Sequence, residues 1–405
     1  MIEALDRGPW EAIKLGLAYC FMTSFLVWMG AILGTSLVLR SSATGHIFND
    51  RAAPYANWDG QWYADIARNG YSYRTDDSSN VAFFPVYPLA GRLLARATGL
   101  GIEPALLAVS NASLVGLFCL MARYVAVRYP EGPDELAGWV LLALGLLPTT
   151  FFFRMAYSES TFLLVAILVL FGMRREWPLA AIAGLVGLAT ATRPTGLALV
   201  PPLALHVWQR SPTPRSFAAR MLWITPWACS GLVAYMAYLQ VAFGEPLAFA
   251  KAQASWQLRP PAPPAARAWA LITLEPLWAL YDPSSRLRWW PAGRASPSIL
   301  GLRAADPVYF LGSIALVIVG AARRWLDGRE ILMAAGLLLI PYVATGYEQY
   351  VQSAGRYAAA AVPVYLVLGN LLARASAPAA AALAGISAFL LGTYTALFCA
   401  WYAFI

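Results

Sequence analysis

The chain has 405 residues, of which 60% are hydrophobic and only 12% are charged, and its mean hydropathy is +0.57. This composition excludes an ordinary water-soluble domain, because apolar runs recur along nearly the whole chain. The formal charge of +8 does not indicate a nucleic-acid partner, since 27 of the 29 basic residues are arginines scattered singly between apolar segments. The four cysteines lie inside apolar runs without metal-ligand spacing, so neither a zinc site nor a disulfide is expected.

Hydropathy predicts eleven membrane-spanning helices in a single domain, 1–405. They lie near residues 13–39, 105–127, 136–153, 159–173, 178–192, 195–208, 219–243, 308–322, 330–345, 356–373 and 378–402. The segment 195–208 is short for a span, and we expect a bent hairpin around Arg193 and Pro194. The stretch 81–97 contains prolines and two arginines, so it is predicted as a helix along the membrane surface. The predicted fold class is an all-α polytopic membrane protein.

The placement of basic residues predicts which ends of the spans face the cytoplasm, because arginine and lysine are enriched in short cytoplasmic loops. With the N-terminus inside, thirteen basic residues fall in inner segments, and the short outer turns carry only Arg154, Arg193 and Arg356. Two long segments, 40–104 and 244–306, then become outer loops, and the C-terminus lies outside. Two interpretations of the second loop stay open. It forms part of the acceptor site, or it is a structural cover whose aromatic residues lie at the membrane interface. We favour the cover.

Polar residues that are unusual in a membrane protein collect on the predicted outer side. These residues are Asp59, Arg154, Glu159, Arg193, Glu348, Gln352 and Arg356. Ionisable groups at membrane depth usually line a bundle interior or a water-filled cavity, so the cluster predicts a functional site. The alternative is that arginines at helix ends extend to lipid headgroups, which does not account for the acids.

The stretch NWDGQWYADIARNGY, which begins at Asn57, predicts a short helix that Asn57 caps and Gly70 ends. Asp59, Trp62 and Tyr63 fall on one face of this helix, at the headgroup level that tryptophan and tyrosine favour. An ionised acid there is suited to act as a general base on a hydroxyl whose reaction partner comes from the membrane. The alternative is that Asp59 only belongs to the helix cap.

The stretch WDGQWYADIARNGY, followed by AFFPVYP, resembles the signature of the second GPI mannosyltransferase family, the PIG-V-like proteins. Further matches are AYSES at 156–160, ATATRPTG at 189–196 and QSAGRY at 352–357. The chain departs from the family where a serine-asparagine pair commonly follows the arginine, because Pro194 and Thr195 stand there. The resemblance spans roughly residues 10 to 375 and is that of a bacterial relative.

The resemblance implies a membrane glycosyltransferase of the GT-C class, whose active site lies on the non-cytoplasmic face. It implies a polyprenyl-phosphate-linked sugar as donor, with mannose as the first candidate, and a lipid or glycan hydroxyl as acceptor. Asp59 matches the catalytic base, and Glu159 and Arg193 match polar positions of the family. The other candidate substrate-binding residues are Trp58, Trp62, Tyr63, Arg154, Gln352, Arg356 and Tyr357.

An inverting transfer needs a base for the acceptor proton and cationic donors for the departing phosphate, for which Arg154, Arg193 and Arg356 are candidates. The chain has no glycine-rich phosphate loop after a strand and no Asp-x-Asp pair, so neither a cofactor nor a metal is predicted. Two other classes stay open, a membrane transporter or flippase for lipid-linked sugars and a non-enzymatic assembly protein. A transporter usually holds its charged residues near the midplane within paired repeats, and no internal repeat is evident.

Overall fold

The computed structural model describes residues 8–39, 54–74, 78–285, 288 and 302–402. Parts of the two predicted outer loops, 40–53, 75–77, 286–287 and 289–301, lie outside the described residues. No β-strand occurs in the described part of the chain. Its helices are α1 (Pro9–Ser36), α2 (Asp59–Asn69), α3 (Val86–Thr98), α4 (Ile102–Arg128), α5 (Leu136–Leu146), α6 (Glu159–Arg174), α7 (Leu179–Thr192), α8 (Val200–Trp208), α9 (Pro214–Phe243), α10 (Ala248–Lys251), α11 (Pro264–Ile272), α12 (Glu275–Trp278), α13 (Leu302–Ala322), α14 (Gly328–Gln349), α15 (Ala354–Ala359), α16 (Pro363–Leu372) and α17 (Ala377–Cys399).

Six of the described helices are long and apolar enough to cross a membrane: α1, α4, α9, α13, α14 and α17. A seventh candidate combines α5 with the 3₁₀ segment Pro148–Arg154, with a bend of 81° between them. The lipid-facing character is plain on α1, where Phe21 is 59% exposed and Phe25 is 57% exposed. The chain is therefore an all-α polytopic membrane protein, as the sequence predicts.

Each of the eleven predicted segments contains helix, but besides α5, which has 11 residues, four more hold helices too short to span alone. α6 has 16 residues and α7 has 14, while α8 and α16 have 9 and 10. A rise of about 1.5 Å per residue gives each of these less than the roughly 30 Å of a hydrocarbon core. The bend predicted near Pro194 is present, because the 3₁₀ segment Pro194–Leu199 separates α7 from α8.

Small residues allow the central helices to approach closely. A Cβ atom added at Gly231 on α9 would overlap the backbone oxygen of Gly187 on α7. Such glycine contacts let helix backbones touch in a membrane, where packing rather than water exclusion drives association. The α7–α9 pair is thereby fixed beside the 3₁₀ turn that carries Arg193 at its start.

Charged side chains stabilise one end of the helical bundle, the end that lies opposite the first residue of α6. There, Tyr124 and Arg128 of α4 donate to Oε1 of the buried Glu330 on α14, at 2.5 and 3.0 Å. The carboxylate of Asp327 accepts the backbone N–H groups of Arg329 and Glu330 and so caps α14. These contacts hold α4 and α14 at one end, while the described parts of both long loops lie at the other.

The loop helices α2 and α3 pack at that other end. α2 ends at Gly70, as predicted, and the C-terminal carbonyls of Ile66 and Ala67 accept hydrogen bonds from Arg92 of α3 at 2.7 Å each. The predicted cap by Asn57 is wrong, because the Asn57 amide instead donates to the carbonyl of Phe398 at 3.0 Å. Asn57 thus ties the loop to α17. A helix is predicted over 81–97, and α3 (Val86–Thr98) is present there. Its position along the membrane surface stays a prediction.

Candidate active site

Four charged side chains from distant parts of the sequence form one chain of ion pairs. Arg356 donates to both Asp59 and Glu159, and Nη1 of Arg193 lies 2.6 Å from Oε1 of Glu159. Arg193, Glu159 and Arg356 are buried, and Asp59 is the most exposed member. The structure therefore brings together four of the residues that the sequence placed on one side.

Glu159 lies beneath the two arginines at the first residue of α6 and is fully buried. A buried carboxylate is tolerated only with charged or hydrogen-bonding partners, and here both arginines contact it. Arg193 also donates to Ser158 at 3.2 Å, and the Ser158 hydroxyl lies 2.7 Å from that of Tyr63. Burial raises the pKa of Tyr63 to about 12, so this phenol stays protonated at neutral pH.

Asp59 is held in place through its backbone by the segment around Tyr157. Its N–H donates to the Tyr157 hydroxyl at 3.2 Å, and that hydroxyl donates in turn to the carbonyl of Asn57 at 2.9 Å. Trp58 adopts a φ of 57°, a left-handed conformation that is uncommon for a bulky residue. The Tyr157 bridge therefore fixes the turn that starts α2 and directs the Asp59 side chain toward Arg356.

Arg356 lies on the short helix α15, which follows a turn with three left-handed residues. Tyr350, Val351 and Ser353 have φ values of 49°, 49° and 64°. The carboxylate of Asp306 on α13 accepts the backbone N–H groups of Ser353 at 3.0 Å and Gly355 at 2.7 Å. Asp306 is 2% exposed, so a buried acid holds the turn that presents Arg356.

The guanidinium of Arg356 is also stacked near aromatic rings. Its Cζ lies 4.6 Å from the ring centre of Tyr157 and 5.3 Å from that of Phe152. Such cation–π contacts restrict the orientation of the guanidinium plane. The two rings therefore pack beside the Arg356 guanidinium in addition to its two ion pairs.

These side chains open onto a cavity of about 470 Å³ at the loop end of the bundle. Seven residues predicted from sequence line it: Asp59, Tyr63, Arg193, Glu348, Gln352, Arg356 and Tyr357. Further lining residues include Phe83, Phe84, Thr195, Phe249, Gln253, Trp256, Gln257, Arg267 and Gln349. The cavity thus combines two carboxylates, three guanidinium groups, side-chain amides and aromatic rings.

Four predicted residues do not line the cavity. Glu159 lies behind Arg193 and Arg356, as described above. Trp62 stacks on Phe83 with ring centres 6.0 Å apart and supports the wall from behind. Trp58 points away, and its ring lies 5.8 Å from that of Trp401 near the end of α17.

Arg154 is the fourth predicted residue that does not line the cavity, and it lies apart from the ion-pair chain. Its guanidinium donates to Ser24 at 3.0 Å, Thr23 at 2.7 Å and the Thr150 carbonyl at 3.3 Å. The 81° bend at the end of α5 turns its side chain toward α1 rather than toward the cavity. Arg154 is 2% exposed, and neutral oxygens stabilise its charge there.

Several contributors were missed from the sequence. Tyr157 and Ser158 belong to the AYSES motif, in which only the acid was selected, and Asp306 stands beside a proline just before a predicted span. The segment 249–257 lines the cavity, although the second loop was interpreted as a structural cover. Its amides and tryptophan, in AFAKAQASWQ, were the available signal. In the part of the chain that the structure describes, no group of three His, Cys, Asp or Glu side chains is arranged to hold a metal ion.

No family model matches the chain. It is 34% identical over 115 residues to GPI mannosyltransferase 2 of Drosophila melanogaster, and 33% identical over 113 residues to the protein of the same name in Drosophila pseudoobscura pseudoobscura. Each match covers 26% of this chain and 24% of the relative, so the chain matches about a quarter of the length of these relatives. A solved oligosaccharyltransferase of Archaeoglobus fulgidus is similar with a TM-score of 0.41 and 11% identity, over 95% of this chain and 55% of that one. A TM-score this low carries no argument about fold or function.

Proposed function

We propose that the chain is an integral-membrane glycosyltransferase of the GT-C class, with Asp59 as general base. The donor is a polyprenyl-phosphate-linked sugar, with mannose as the first candidate, and the acceptor is a hydroxyl group of a lipid or glycan. The observation that carries the proposal is one cavity wall that holds the Asp59 carboxylate beside the Arg193 and Arg356 guanidiniums. The partial similarity to GPI mannosyltransferase 2 supports the class of reaction.

The proposed step transfers the sugar with inversion at its anomeric carbon. Asp59 takes the proton of the acceptor hydroxyl as the oxygen attacks that carbon from the face opposite the phosphate. The bond between the anomeric carbon and the phosphate oxygen breaks, and its electron pair stays on the polyprenyl phosphate. The partly exposed position of Asp59 on the cavity wall supports this role, because an acceptor can reach it.

The departing phosphate carries the charge that develops in the transition state. Arg193 and Arg356 lie side by side on the same wall, and guanidinium groups can bind phosphate through two parallel hydrogen bonds. Glu159 holds both arginines from behind, and both also line the cavity. Preorganised donors of this kind stabilise a leaving group without reorganising during the reaction.

The proposal places the cavity on the non-cytoplasmic face of the membrane. A lipid-linked donor is already activated, so it needs no nucleotide-binding pocket there. The wall also contains Phe83, Phe84 and Phe249, which suit contact with the first isoprene units of a polyprenyl chain.

The test is transfer of radiolabelled mannose from dolichyl-phosphate mannose by the purified protein in lipid nanodiscs, with bacterial lipid and glycan extracts as acceptors. Wild-type protein is expected to release dolichyl phosphate and label a new product, and Asp59→Asn is expected not to do so. A flippase would instead move the intact donor across proteoliposome membranes. Donor translocation without cleavage of the sugar–phosphate bond, equal in both proteins, would overturn the proposal.

A further inference from the structure

A second acid lines the cavity, and part of it has no partner. Glu348 is in the last turn of α14 and is 8% exposed. Its Oε1 lies 3.2 Å from Nη1 of Arg267, whereas its buried Oε2 accepts no hydrogen bond from any residue that the structure describes. A buried polar atom without a hydrogen-bond partner is uncommon in a folded protein, so an unpartnered carboxylate oxygen on a residue that lines a cavity points to a ligand.

Arg267 is not free to satisfy this oxygen. Its Nη2 donates to the carbonyls of Val343 at 2.8 Å and Ala344 at 2.9 Å, which anchors the guanidinium along α14. The Arg267–Glu348 pair therefore leaves one carboxylate oxygen of a cavity-lining residue without a donor. A small rotation of the Glu348 side chain would bring this oxygen to a donor in the cavity.

The charged and amide side chains around Glu348 favour a neutral hydrogen-bond donor over a cation as its ligand. The described charged residues of the lining are three arginines and two carboxylates, and Arg267 already pairs with Glu348, so a second cation at Glu348 would lie beside a guanidinium. The side-chain amides of Gln253, Gln257, Gln349 and Gln352 line the same cavity. Each amide offers both donors and an acceptor, which suits neighbouring hydroxyl groups.

Trp256 adds an apolar surface to this wall. It is partly buried, lines the cavity, and packs edge-on against Trp62 with ring centres 6.2 Å apart. A fixed indole ring offers a flat surface for the C–H face of a sugar, while the amides and the carboxylate can bind its hydroxyl edge.

We propose that Glu348, with the glutamines around it, forms a subsite that binds adjacent hydroxyl groups of a sugar ring. This rests on the proposed function and deepens it, because it assigns the sugar-recognising part of the cavity to residues apart from Asp59, Arg193 and Arg356. The sugar belongs either to the donor or to the acceptor, since both carry the same hydroxyl chemistry.

The experiment compares Glu348→Ala and Glu348→Gln with the matched control Glu275→Gln. Glu275 is also paired with an arginine, Arg259, but does not line the cavity. Binding of methyl α-D-mannopyranoside by saturation-transfer NMR reports an acceptor-type sugar. The ratio of affinities for dolichyl-phosphate mannose and dolichyl phosphate reports the donor sugar. Unchanged thermal midpoints in detergent establish that each variant is folded.

We expect Glu348→Ala to weaken one of these two sugar-dependent signals at least tenfold, Glu348→Gln to weaken it less, and Glu275→Gln to leave both unchanged. The affected signal identifies which sugar occupies the subsite. Wild-type values of both signals in a folded Glu348→Ala protein would overturn the subsite, as would the absence of both signals in the wild type. Asp59→Asn should retain both sugar-dependent signals while losing transfer. Retained transfer in Asp59→Asn would contradict the proposed function and leave the subsite standing, whereas wild-type binding in Glu348→Ala would contradict the subsite alone.

Discussion

Asp59 and Arg356 are 297 positions apart in the sequence, yet they form an ion pair on the wall of the cavity. Arg356 also binds Glu159, so it joins the exposed acid to the buried one. Under the proposed function, a phosphate that binds Arg356 competes with Asp59 for the same guanidinium. Donor binding would then release the Asp59 carboxylate for the acceptor hydroxyl, while Glu159 keeps Arg356 in position.

The first prediction concerns donor binding by the two arginines. Arg193→Lys and Arg356→Lys keep the charge but remove the planar fork, so affinity for dolichyl-phosphate mannose should fall roughly 10- to 100-fold, as expected for loss of a charge-assisted hydrogen bond of about 1.5–3 kcal/mol. Arg374→Lys is the control, because Arg374 binds Asn370 on α16 and does not line the cavity. Donor titration in nanodiscs measures the effect, and wild-type affinity in both test variants would remove these arginines from the phosphate site.

The second prediction concerns Glu159 as the structural centre of the ion-pair chain. Glu159→Gln leaves two buried arginines without their shared carboxylate, and removal of one partner of a buried ion pair typically destabilises a protein by about 3–5 kcal/mol. The thermal midpoint in detergent should therefore fall clearly. Glu176→Gln is the control, because Glu176 also pairs with an arginine but its side chain is 71% exposed. Equal midpoints for the two variants would contradict the assignment.

The third prediction identifies Asp306 as a positioning residue. Asp306→Ala removes both acceptors for the backbone N–H groups of Ser353 and Gly355, so the left-handed turn before α15 should relax and Arg356 should lose its orientation. We expect a lower kcat/KM for the donor, partly rescued in Asp306→Asn, which keeps one carbonyl acceptor. The control is Ser313→Ala, a buried polar site farther along α13. A wild-type kcat/KM in folded Asp306→Ala protein would contradict this positioning role.

The fourth prediction concerns orientation. If the cavity faces outward, a cysteine at Ala265 on α11 should react in intact cells with an impermeant maleimide, and a cysteine at Arg215 on α9 should not. Both positions are exposed in the structure, so burial does not decide the result. The native cysteines are replaced first. Labelling at 215 with protection at 265 would place the cavity on the cytoplasmic side and contradict the donor assignment.

Much of the ion-pair chain could be predicted from sequence, because acids and arginines at the ends of apolar runs are costly unless they meet. Hydropathy and arginine placement put Asp59, Glu159, Arg193 and Arg356 on one side, and the structure brings these four together. Arg154 also lies at the end of an apolar run, so the sequence placed it with these four residues. Its hydroxyl partners on α1 and the bend after α5 have no recognisable sequence pattern, so its position away from the ion-pair chain could not be predicted.

The supporting residues were less predictable for a different reason. Asp306 acts on backbone N–H groups of a turn whose left-handed conformation depends on tertiary contacts, and neither residue of such a contact is marked by type or spacing. Similarly, the number of spans is ambiguous from hydropathy, because α6 and α7 are apolar but shorter than a bilayer requires. Periodicity describes single helices, whereas these features arise between helices.

The most direct test of the central claim is the transfer rate of Asp59→Asn, measured together with its donor affinity. Asparagine keeps nearly the same shape but cannot accept the proton, and loss of a positioned base typically lowers the rate about 100- to 10,000-fold. Asp65→Asn is the matched control on the same helix, where Asp65 accepts hydrogen bonds from Asn69 and Asn80 outside the cavity lining. We predict that Asp59→Asn folds and binds donor while transferring almost no sugar, and that Asp65→Asn stays within about tenfold of wild type. Transfer by Asp59→Asn within a few-fold of wild type would contradict the account and show that Asp59 has only a structural role.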